Sequence, residues 1–199
     1  MRRILIATIV ILGSLAWSLV SPAMAQQPLV IKPLVEKKIT ALPAGTLFWR
    51  VESFGTLAQA EAAAGPWSLA AESAGKVWLF TLGAADGSSA GGSKVAQVGP
   101  IPRFVAPQYL LRVNEATGAP GSITKVHSHP GSEAFFVLAG EQSIRGPEGL
   151  MRVQASQSAA GHGADVPMQV SSSGSTDLHA LVMFVVDATK PFSSPAVFP

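Results

Sequence analysis

The chain has 199 residues, of which 48% are hydrophobic and 13% are charged, and it contains no cysteine. The lack of cysteine excludes disulfide bonds, thiolate metal ligands and cysteine-based catalysis. Lysine and arginine together number 14, against 12 aspartate and glutamate residues. Arg2 and Arg3 belong to a predicted leader, so the rest of the chain is formally neutral and has no basic cluster. We therefore expect no nucleic-acid partner.

The first 25 residues have the pattern of a secretory signal peptide. Two arginines precede an apolar run over residues 4–20, and a small-residue sequence at 23–25 comes just before the first polar residues. This order predicts cleavage, export to the periplasm or the cell exterior, and no membrane association afterwards. The alternative is an uncleaved anchor, because an apolar run of 17 residues is at the lower limit for crossing a bilayer.

Residues 26–105 predict an N-terminal arm followed by strands that pack on a barrel. Residues 26–38 contain proline and have no clear period, which indicates an extended arm. Thr56 is typical of a helix N-cap, and β-branched and aromatic runs on either side of that helix predict strands. In chain order we expect a strand, the helix, a strand and a flexible Gly- and Ser-rich loop at residues 46–51, 57–64, 76–82 and 83–99.

From residue 106 onward, short apolar and β-branched runs follow one another, separated by Gly, Pro and Ser turns. Many brief strands of this kind predict an all-β sandwich or barrel, which we place at residues 106–190 with a tail at 191–199. The predicted strands are residues 109–113, 123–127, 133–138, 142–145, 150–155, 167–171 and 179–186. Their alternation predicts these inward-facing residues: Phe135, Val137, Met151, Val153, Leu181 and Met183.

The chemically informative residues are His127, His129 and Glu133. Side chains two apart on a strand point to the same side, so the two imidazoles converge if that side is the barrel interior. A turn at residues 130–132 would bring Glu133 opposite them. Two histidines and one carboxylate form the set of ligands typical of non-haem iron, which also accepts manganese, zinc or nickel. The sequence therefore predicts one divalent transition metal at these three residues.

The stretch around these residues resembles the first signature of the cupin superfamily, G-x5-H-x-H-x3,4-E-x6-G. Gly121, His127, His129, Glu133 and Gly140 match every fixed position. The resemblance implies an all-β, antiparallel barrel of jelly-roll type with the metal inside. It also implies a metal-dependent enzyme of oxygenase, isomerase or lyase type acting on a small molecule, and it suggests a homodimer through outer strands.

The second cupin signature, P-x-G-x2-H-x3-N, is degenerate here, because Met168 stands where its histidine belongs. Met168 packs the barrel as an apolar residue, or acts as a thioether ligand that would favour copper, or is displaced by one or two residues in the alignment. His162, in a glycine-flanked turn, is a further candidate ligand. His179 is expected at the rim or surface, with support of the ligands as the alternative.

Two other functions compete with an enzyme. One is a non-catalytic periplasmic protein that binds a metal ion or small ligand, and the other is a metal-free structural barrel. An enzyme requires an open coordination position next to a pocket with further polar groups. A sequestering protein requires a closed shell, completed by Met168 or His162. In a metal-free barrel, His127 and His129 would point apart.

Overall fold

The computed structural model describes residues 27–199, and the predicted leader lies outside them. This part of the chain consists mainly of strands in antiparallel ladders, so the predicted all-β, antiparallel fold class is confirmed. Its helix, α1 (Leu57–Ala63), is short. The strands are β1 (Val30–Ile39), β2 (Leu47–Phe54), β3 (Ser68–Ser73), β4 (Lys76–Gly83), β5 (Ser93–Ile101), β6 (Tyr109–Gly118), β7 (His127–Ser128), β8 (Gly131–Ala139), β9 (Glu141–Gly146), β10 (Gly149–Gln154), β11 (Ser158–Ala160), β12 (Gln169–Ser172), β13 (Leu178–Asp187) and β14 (Ser194–Pro195).

A five-stranded sheet in the order β1-β6-β13-β8-β11 is the centre of the molecule. Its middle strand, β13, is almost wholly buried, because other layers cover both faces of the sheet. Phe184 of β13 lies opposite Arg112 on one side and Glu133 on the other. Val182 lies in the same way opposite Asn114 and Phe135. These residues of β6, β13 and β8 therefore share one face, which we call the inner face.

The inner face is covered by a three-stranded sheet in the order β10-β9-β12. Ile144, Val153 and Val170 from that sheet pack with Phe135 and Val182 in one apolar core. Two antiparallel sheets facing each other around a core form a jelly-roll architecture. Pairing of β8 with β11 and of β9 with β12 extends the enclosure around the core.

The opposite, outer face of the central sheet is covered by the N-terminal residues. Their strands form a four-stranded sheet in the order β3-β4-β2-β5. Trp49, Trp78 and Phe80 of this sheet pack in one core with Leu181 and Met183 of β13. On its other side lies α1, which begins at a capping box formed by Thr56 and Gln59. No helix in residues 27–199 is long and apolar enough to cross a membrane.

Two N-terminal predictions were wrong in part. The arm predicted at residues 26–38 is largely β1, which pairs with β6 as an edge strand and shifts register next to Pro33. The loop predicted at residues 83–99 holds β5 in its second half, paired with β2. Proline and glycine lower strand propensity, but partners from distant parts of the chain outweigh that local preference. The short strands β3, β11 and β14 were not predicted.

The inward-facing residues were predicted correctly on β8 and incorrectly on β13. Phe135, Val137 and Val153 are buried in the inner core, and Met151 is partly buried against it. Leu181 and Met183 instead point to the outer face, in the core shared with the N-terminal sheet. A strand buried on both faces has no polar alternation, so its phase is not encoded in its own residues. The inward-facing residues of β13 are Leu178, Ala180, Val182, Phe184 and Val186.

Candidate metal centre

His127 and His129 lie on a short segment that crosses from one layer of the barrel to the other. The predicted strand at residues 123–127 is reduced to an isolated bridge at Ile123 and the two residues of β7. This strand pairs with β14 rather than forming a hairpin with β8. The backbone of His127 also exchanges two hydrogen bonds with Met168, at 2.9 and 2.7 Å. The two imidazoles meet edge to face, with ring centroids 5.0 Å apart.

Each imidazole is held by a backbone carbonyl at Nδ1. His127 Nδ1 lies 2.8 Å from the carbonyl oxygen of Lys125, and His129 Nδ1 lies 2.7 Å from that of Phe192. A carbonyl oxygen only accepts hydrogen bonds, so Nδ1 carries the hydrogen in both rings. In the neutral ring, Nε2 then has a free lone pair. Histidines that ligate metals are oriented in this way by a partner on the other nitrogen.

The environment of His129 keeps its ring neutral. The side chain is buried, and the rings of Phe184 and Phe192 each lie with their centroids 4.8 Å from its own. Burial lowers the pKa of His129 to about 4, an effect that the hydrogen bond to Phe192 partly offsets. Neutral imidazole is the form that binds a metal, so no proton has to leave His129 first at neutral pH.

Glu133 enters the same region from the inner face of β8. It is 2% exposed, and its Oε1 has no hydrogen-bond partner among the described residues. Burial raises the pKa of Glu133 to about 8, and the nearby backbone N–H of His162 partly offsets this rise. The carboxyl lies against Gly161, where a Cβ atom would come within 2.9 Å of Oε1. Gly161 therefore leaves the space that the side chain of Glu133 occupies.

His127, His129 and Glu133 line one cavity of about 360 Å³ in the barrel. Its apolar wall includes Phe135 and Phe184 of the inner face. Its polar lining residues besides these three are Asn114, Thr124, Lys125 and Ser193. The volume is at the small end of the range for small-molecule sites, which is about 300–1,000 Å³.

The three residues share the cavity, but their donor atoms do not form a ready-made cluster. Within residues 27–199, no three or more His, Cys, Asp or Glu side chains are grouped closely enough to hold a metal ion. The donor set nevertheless suits one, because two imidazoles whose Nδ1 atoms are held by carbonyls line the same cavity as a buried carboxyl that lacks a partner at Oε1.

The other predicted candidates lie apart from this cavity. Met168 is 1% exposed and packs in the inner core, although its backbone pairs with that of His127. The ring of His162 packs against Gly146, and its buried Nε2 has no partner in the described part of the chain. His179 lies on the outer face of the central sheet, and its Nε2 is 2.8 Å from Oε1 of Glu115.

Sequence reasoning missed two residues of the site. Phe192 lies in the segment predicted as a tail, yet its carbonyl holds His129 and its ring covers the imidazole. Asn114 lies in β6, one residue beyond the predicted strand at residues 109–113, and is one of the few polar residues on the inner face. An aromatic residue in a proline-containing tail and an amide in an apolar strand are the signals that could have drawn attention to them.

Comparison with known proteins finds similarity among solved structures. No protein-family model matches the sequence, and no match is found among curated proteins. A cupin-like protein from Thermotoga maritima matches with 15% identity over 43% of this chain and 64% of its own, at a TM-score of 0.39. A DMSP lyase from Ruegeria pomeroyi matches with 18% identity over 43% of each chain, at 0.37. This chain therefore spans less than two thirds of the length of either protein.

A third similar structure is an uncharacterised conserved protein with a double-stranded β-helix domain from Klebsiella pneumoniae. It is 19% identical over 43% of this chain and 70% of its own length, at a TM-score of 0.37. In each of the three cases the similarity extends over less than half of this chain.

Proposed function

We propose that this protein is an exported, metal-dependent enzyme of the cupin type, acting on a small molecule in the barrel cavity. The observation that carries the proposal is the arrangement of His127 and His129. Both Nδ1 atoms are held by backbone carbonyls, and both residues line the cavity that Glu133 also lines. One divalent transition metal, such as iron, manganese, zinc, nickel or copper, would be held by these three residues.

The burial of Glu133, with no hydrogen-bond partner at Oε1, supports a cation in the cavity. A buried carboxyl with an unpartnered oxygen is unfavourable, since its lost hydration is not replaced. A metal ion would supply the missing partner and favour the ionised carboxylate. The fold therefore maintains at Glu133 an arrangement that is unfavourable without a cation.

A metal bound there would supply Lewis acidity toward an oxygen atom of a bound small molecule. The protein supplies orientation and a dry environment. The carbonyls of Lys125 and Phe192 set the direction of the two imidazoles. The rings of Phe135 and Phe184 exclude water from one wall of the cavity.

The cavity favours an enzyme over a protein that sequesters metal. Room for a ligand and further polar side chains lie next to the histidines, as a reaction requires. A closed shell would need Met168 or His162 at the histidines. Met168 packs in the inner core, and the ring of His162 packs against Gly146.

Export is the part of the proposal that rests on residues 1–25. Their pattern predicts a cleaved signal peptide and a periplasmic or secreted protein. Cell fractionation followed by N-terminal sequencing tests this part directly. A processed chain that begins near residue 26 is the expected result, whereas an unprocessed chain in the membrane fraction would favour the anchor.

Metal content of the purified protein tests the site. We expect about one metal ion per chain in the parent protein. His127→Ala and Glu133→Gln should each lower metal affinity by at least about tenfold, because each removes a ligand. The measurement is elemental analysis, followed by titration with the retained metal in a calorimeter.

His179→Ala is the matched control, because it removes a histidine that pairs with Glu115 outside the cavity. It should leave the metal content unchanged. A parent protein that takes up no metal would overturn the proposal. If Met168→Leu lowers metal affinity as strongly as His127→Ala, a closed, sequestering site is the better account.

A further inference from the structure

Asn114 presents hydrogen-bond donors to the cavity. It is 2% exposed and lies on the inner face of β6, among the cavity-lining residues. Its Oδ1 accepts a hydrogen bond from Nε of Arg112 at 2.9 Å. A guanidinium only donates, so this bond determines which end of the amide faces Arg112. The Nδ2 group points away from Arg112 and forms no hydrogen bond within residues 27–199, which leaves its hydrogens for a ligand.

Arg112 orients Asn114 and is itself occupied. Its guanidinium lies 4.4 Å from the ring centroid of Phe192, and one of its terminal nitrogens lies 3.5 Å from Oε2 of Glu36. The side chain is 18% exposed. Arg112 therefore adds positive charge beside Asn114. Its guanidinium is already engaged by Asn114 and Glu36, so it is not free for the bidentate hydrogen bonding by which arginine usually binds a phosphate.

Lys125 adds a second donor at the surface end of the cavity. It is exposed, and it is among the residues that line the cavity, two positions from His127. Its position is restrained, because its own carbonyl accepts the hydrogen bond from His127. Its ammonium forms no ion pair with the described residues. Beside it, Oγ1 of Thr124 accepts from the backbone N–H of Val170, so the hydroxyl hydrogen of Thr124 is free to donate.

Apart from Ser193, the remaining lining residues are apolar or belong to the candidate metal site. Phe135, Val182 and Phe184 form an apolar wall, and Glu133 is the acidic residue among the described lining residues. With a divalent cation on Glu133 and the histidines, the cavity has an excess of positive charge. Asn114 lies opposite Val182, one inward-facing position from the row of Phe184 and Glu133, which is about 7 Å along the strand.

We propose that the cavity binds small organic carboxylates, with the acid group on the amide of Asn114, the charge of Lys125 favouring the anion, and the apolar part along Phe135 and Phe184. This inference rests on the proposed function, because it takes the histidine end of the cavity as the metal end. The amide of Asn114 and the ammonium of Lys125 both donate hydrogen bonds, as the acceptor oxygens of a carboxylate require.

Matched pairs of probes test the inference: benzoate with benzamide, and butyrate with butanamide. Each amide has nearly the shape of its acid but no charge. Binding is measured by calorimetry on the protein with the metal that it retains on purification. We expect each acid to bind at least about tenfold more tightly than its amide. Asn114→Leu and Lys125→Met should each reduce this preference without lowering metal content.

Lys94→Met is the control, because Lys94 is exposed on β5 and does not line the cavity. Should Asn114→Leu fail to fold, Lys125→Met still tests the inference, since its residue is exposed. No preference for the acid in either pair would overturn the inference, as would tighter binding of phenyl phosphate than of benzoate.

Metal content separates the two proposals. A protein that holds metal but does not prefer acids fails only here, and one that prefers acids without holding metal fails only in the proposed function.

Discussion

The two faces of the central sheet are built from the same strands but have different roles. On the outer face, Trp78 packs edge to face on Phe136, with ring centroids 6.1 Å apart, and donates its indole N–H to the carbonyl of Ser73. On the inner face, the neighbouring residue Phe135 lines a cavity of about 360 Å³. Buried polar atoms without partners include Trp49 Nε1 in the outer core and, on the inner side, both side-chain polar atoms of Gln142 and the carboxyl oxygen Glu133 Oε1.

The contrast shows that the outer layer contributes packing, whereas the inner layer contains the candidate metal site. A filled apolar core contributes stability, whereas a cavity forfeits contacts and an unpartnered carboxyl costs free energy. The N-terminal sheet thus stabilises strands whose inner face borders a cavity and contains an unpartnered carboxyl. Strand alternation allows this division, because adjacent residues such as Phe135 and Phe136 point into different layers.

The largest expected effect comes from shortening these two neighbours. Phe136→Ala should lower the free energy of unfolding by about 3–5 kcal/mol, as is usual for a phenylalanine in a filled core. Phe135→Ala should cost less, about 2 kcal/mol, because its ring already borders empty space and loses fewer contacts. Urea unfolding of the two variants at one pH measures the difference. Equal losses would mean that the faces do not differ in packing.

The next effect concerns Glu133 and pH in the metal-free protein. Burial raises its pKa to about 8, while the ordinary value is 4.5. Between these values the unfolded chain ionises and the folded chain stays protonated, so this carboxyl makes stability fall as the pH rises. The lowered pKa of His129 has the opposite effect up to the ordinary imidazole value of 6.5, so the net fall is expected above that pH. The slope is at most about 1.4 kcal/mol per pH unit. Glu133→Gln should lack this fall, and at high pH it should unfold at a higher urea concentration than the parent.

Urea unfolding in the presence of a chelator, at several values between about pH 5 and pH 8, measures this slope. Adding metal should stabilise the parent at high pH, because the cation favours the ionised carboxylate. Identical pH profiles for the parent and Glu133→Gln would show that this carboxyl does not contribute to the difference between the two faces.

The parts of the site that could be predicted from sequence are local. His127 and His129 are two residues apart, and Glu133 follows four residues later, so a short separation in the chain is enough to place all three beside one cavity. The turn predicted at residues 130–132 is absent, because β8 already begins at Gly131 and β7 pairs with β14. Gly140 has a φ of +73° at the turn from β8 to β9, where a Cβ atom would come within 2.6 Å of the Asp177 carbonyl. The conformation explains why glycine ends the motif.

The unpredicted parts depend on contacts between distant residues. Phe192 reaches His129 from 63 positions away, and no local pattern marks such a partner. Met183 was assigned to the wrong face, since a strand covered on both sides does not reveal its phase. The edge strand β1 resembles an unstructured arm because its exposed residues and Pro33 carry no apolar period. Its pairing with β6 is a tertiary property.

A moderate effect is expected at Phe192, which closes the inner cavity. Its ring packs against His129 and Phe184, and the guanidinium of Arg112 lies over it. Phe192→Ala keeps the carbonyl that holds His129 but removes these contacts. We expect a loss of stability of about 1–2 kcal/mol and a more accessible His129.

Urea unfolding measures the stability of Phe192→Ala, and the rate of imidazole modification by diethyl pyrocarbonate measures access to His129. Phe198→Ala is a useful comparison, since that ring lies on Arg145 and not on the histidines. It should leave the modification rate unchanged. If Phe192→Ala also leaves it unchanged, the segment that contains Phe192 does not close the cavity.

The smallest effect should come from Glu115, on the outer face, where it joins the two layers. Its carboxylate accepts a hydrogen bond from Ser73 of the N-terminal sheet and lies 2.8 Å from Nε2 of His179. The bond from Ser73, and next the contact with His179, lower the pKa of Glu115 against the opposing effect of burial. The stabilisation is complete above the ordinary pKa of 4.5 and is lost as the pH falls through the lowered value.

Glu115→Gln should therefore be less stable than the parent by less than about 1 kcal/mol near neutral pH, and the gap should close in acid. Glu148→Gln, in an exposed turn, is the control and should leave stability unchanged at either pH. Urea unfolding near pH 7 and near pH 3 gives the comparison. A gap that persists in acid would mean that Glu115 joins the layers by packing rather than by charge. The dependence on pH expected at Glu133 is opposite in sign, because burial without a partner disfavours the charge that Ser73 and His179 favour at Glu115.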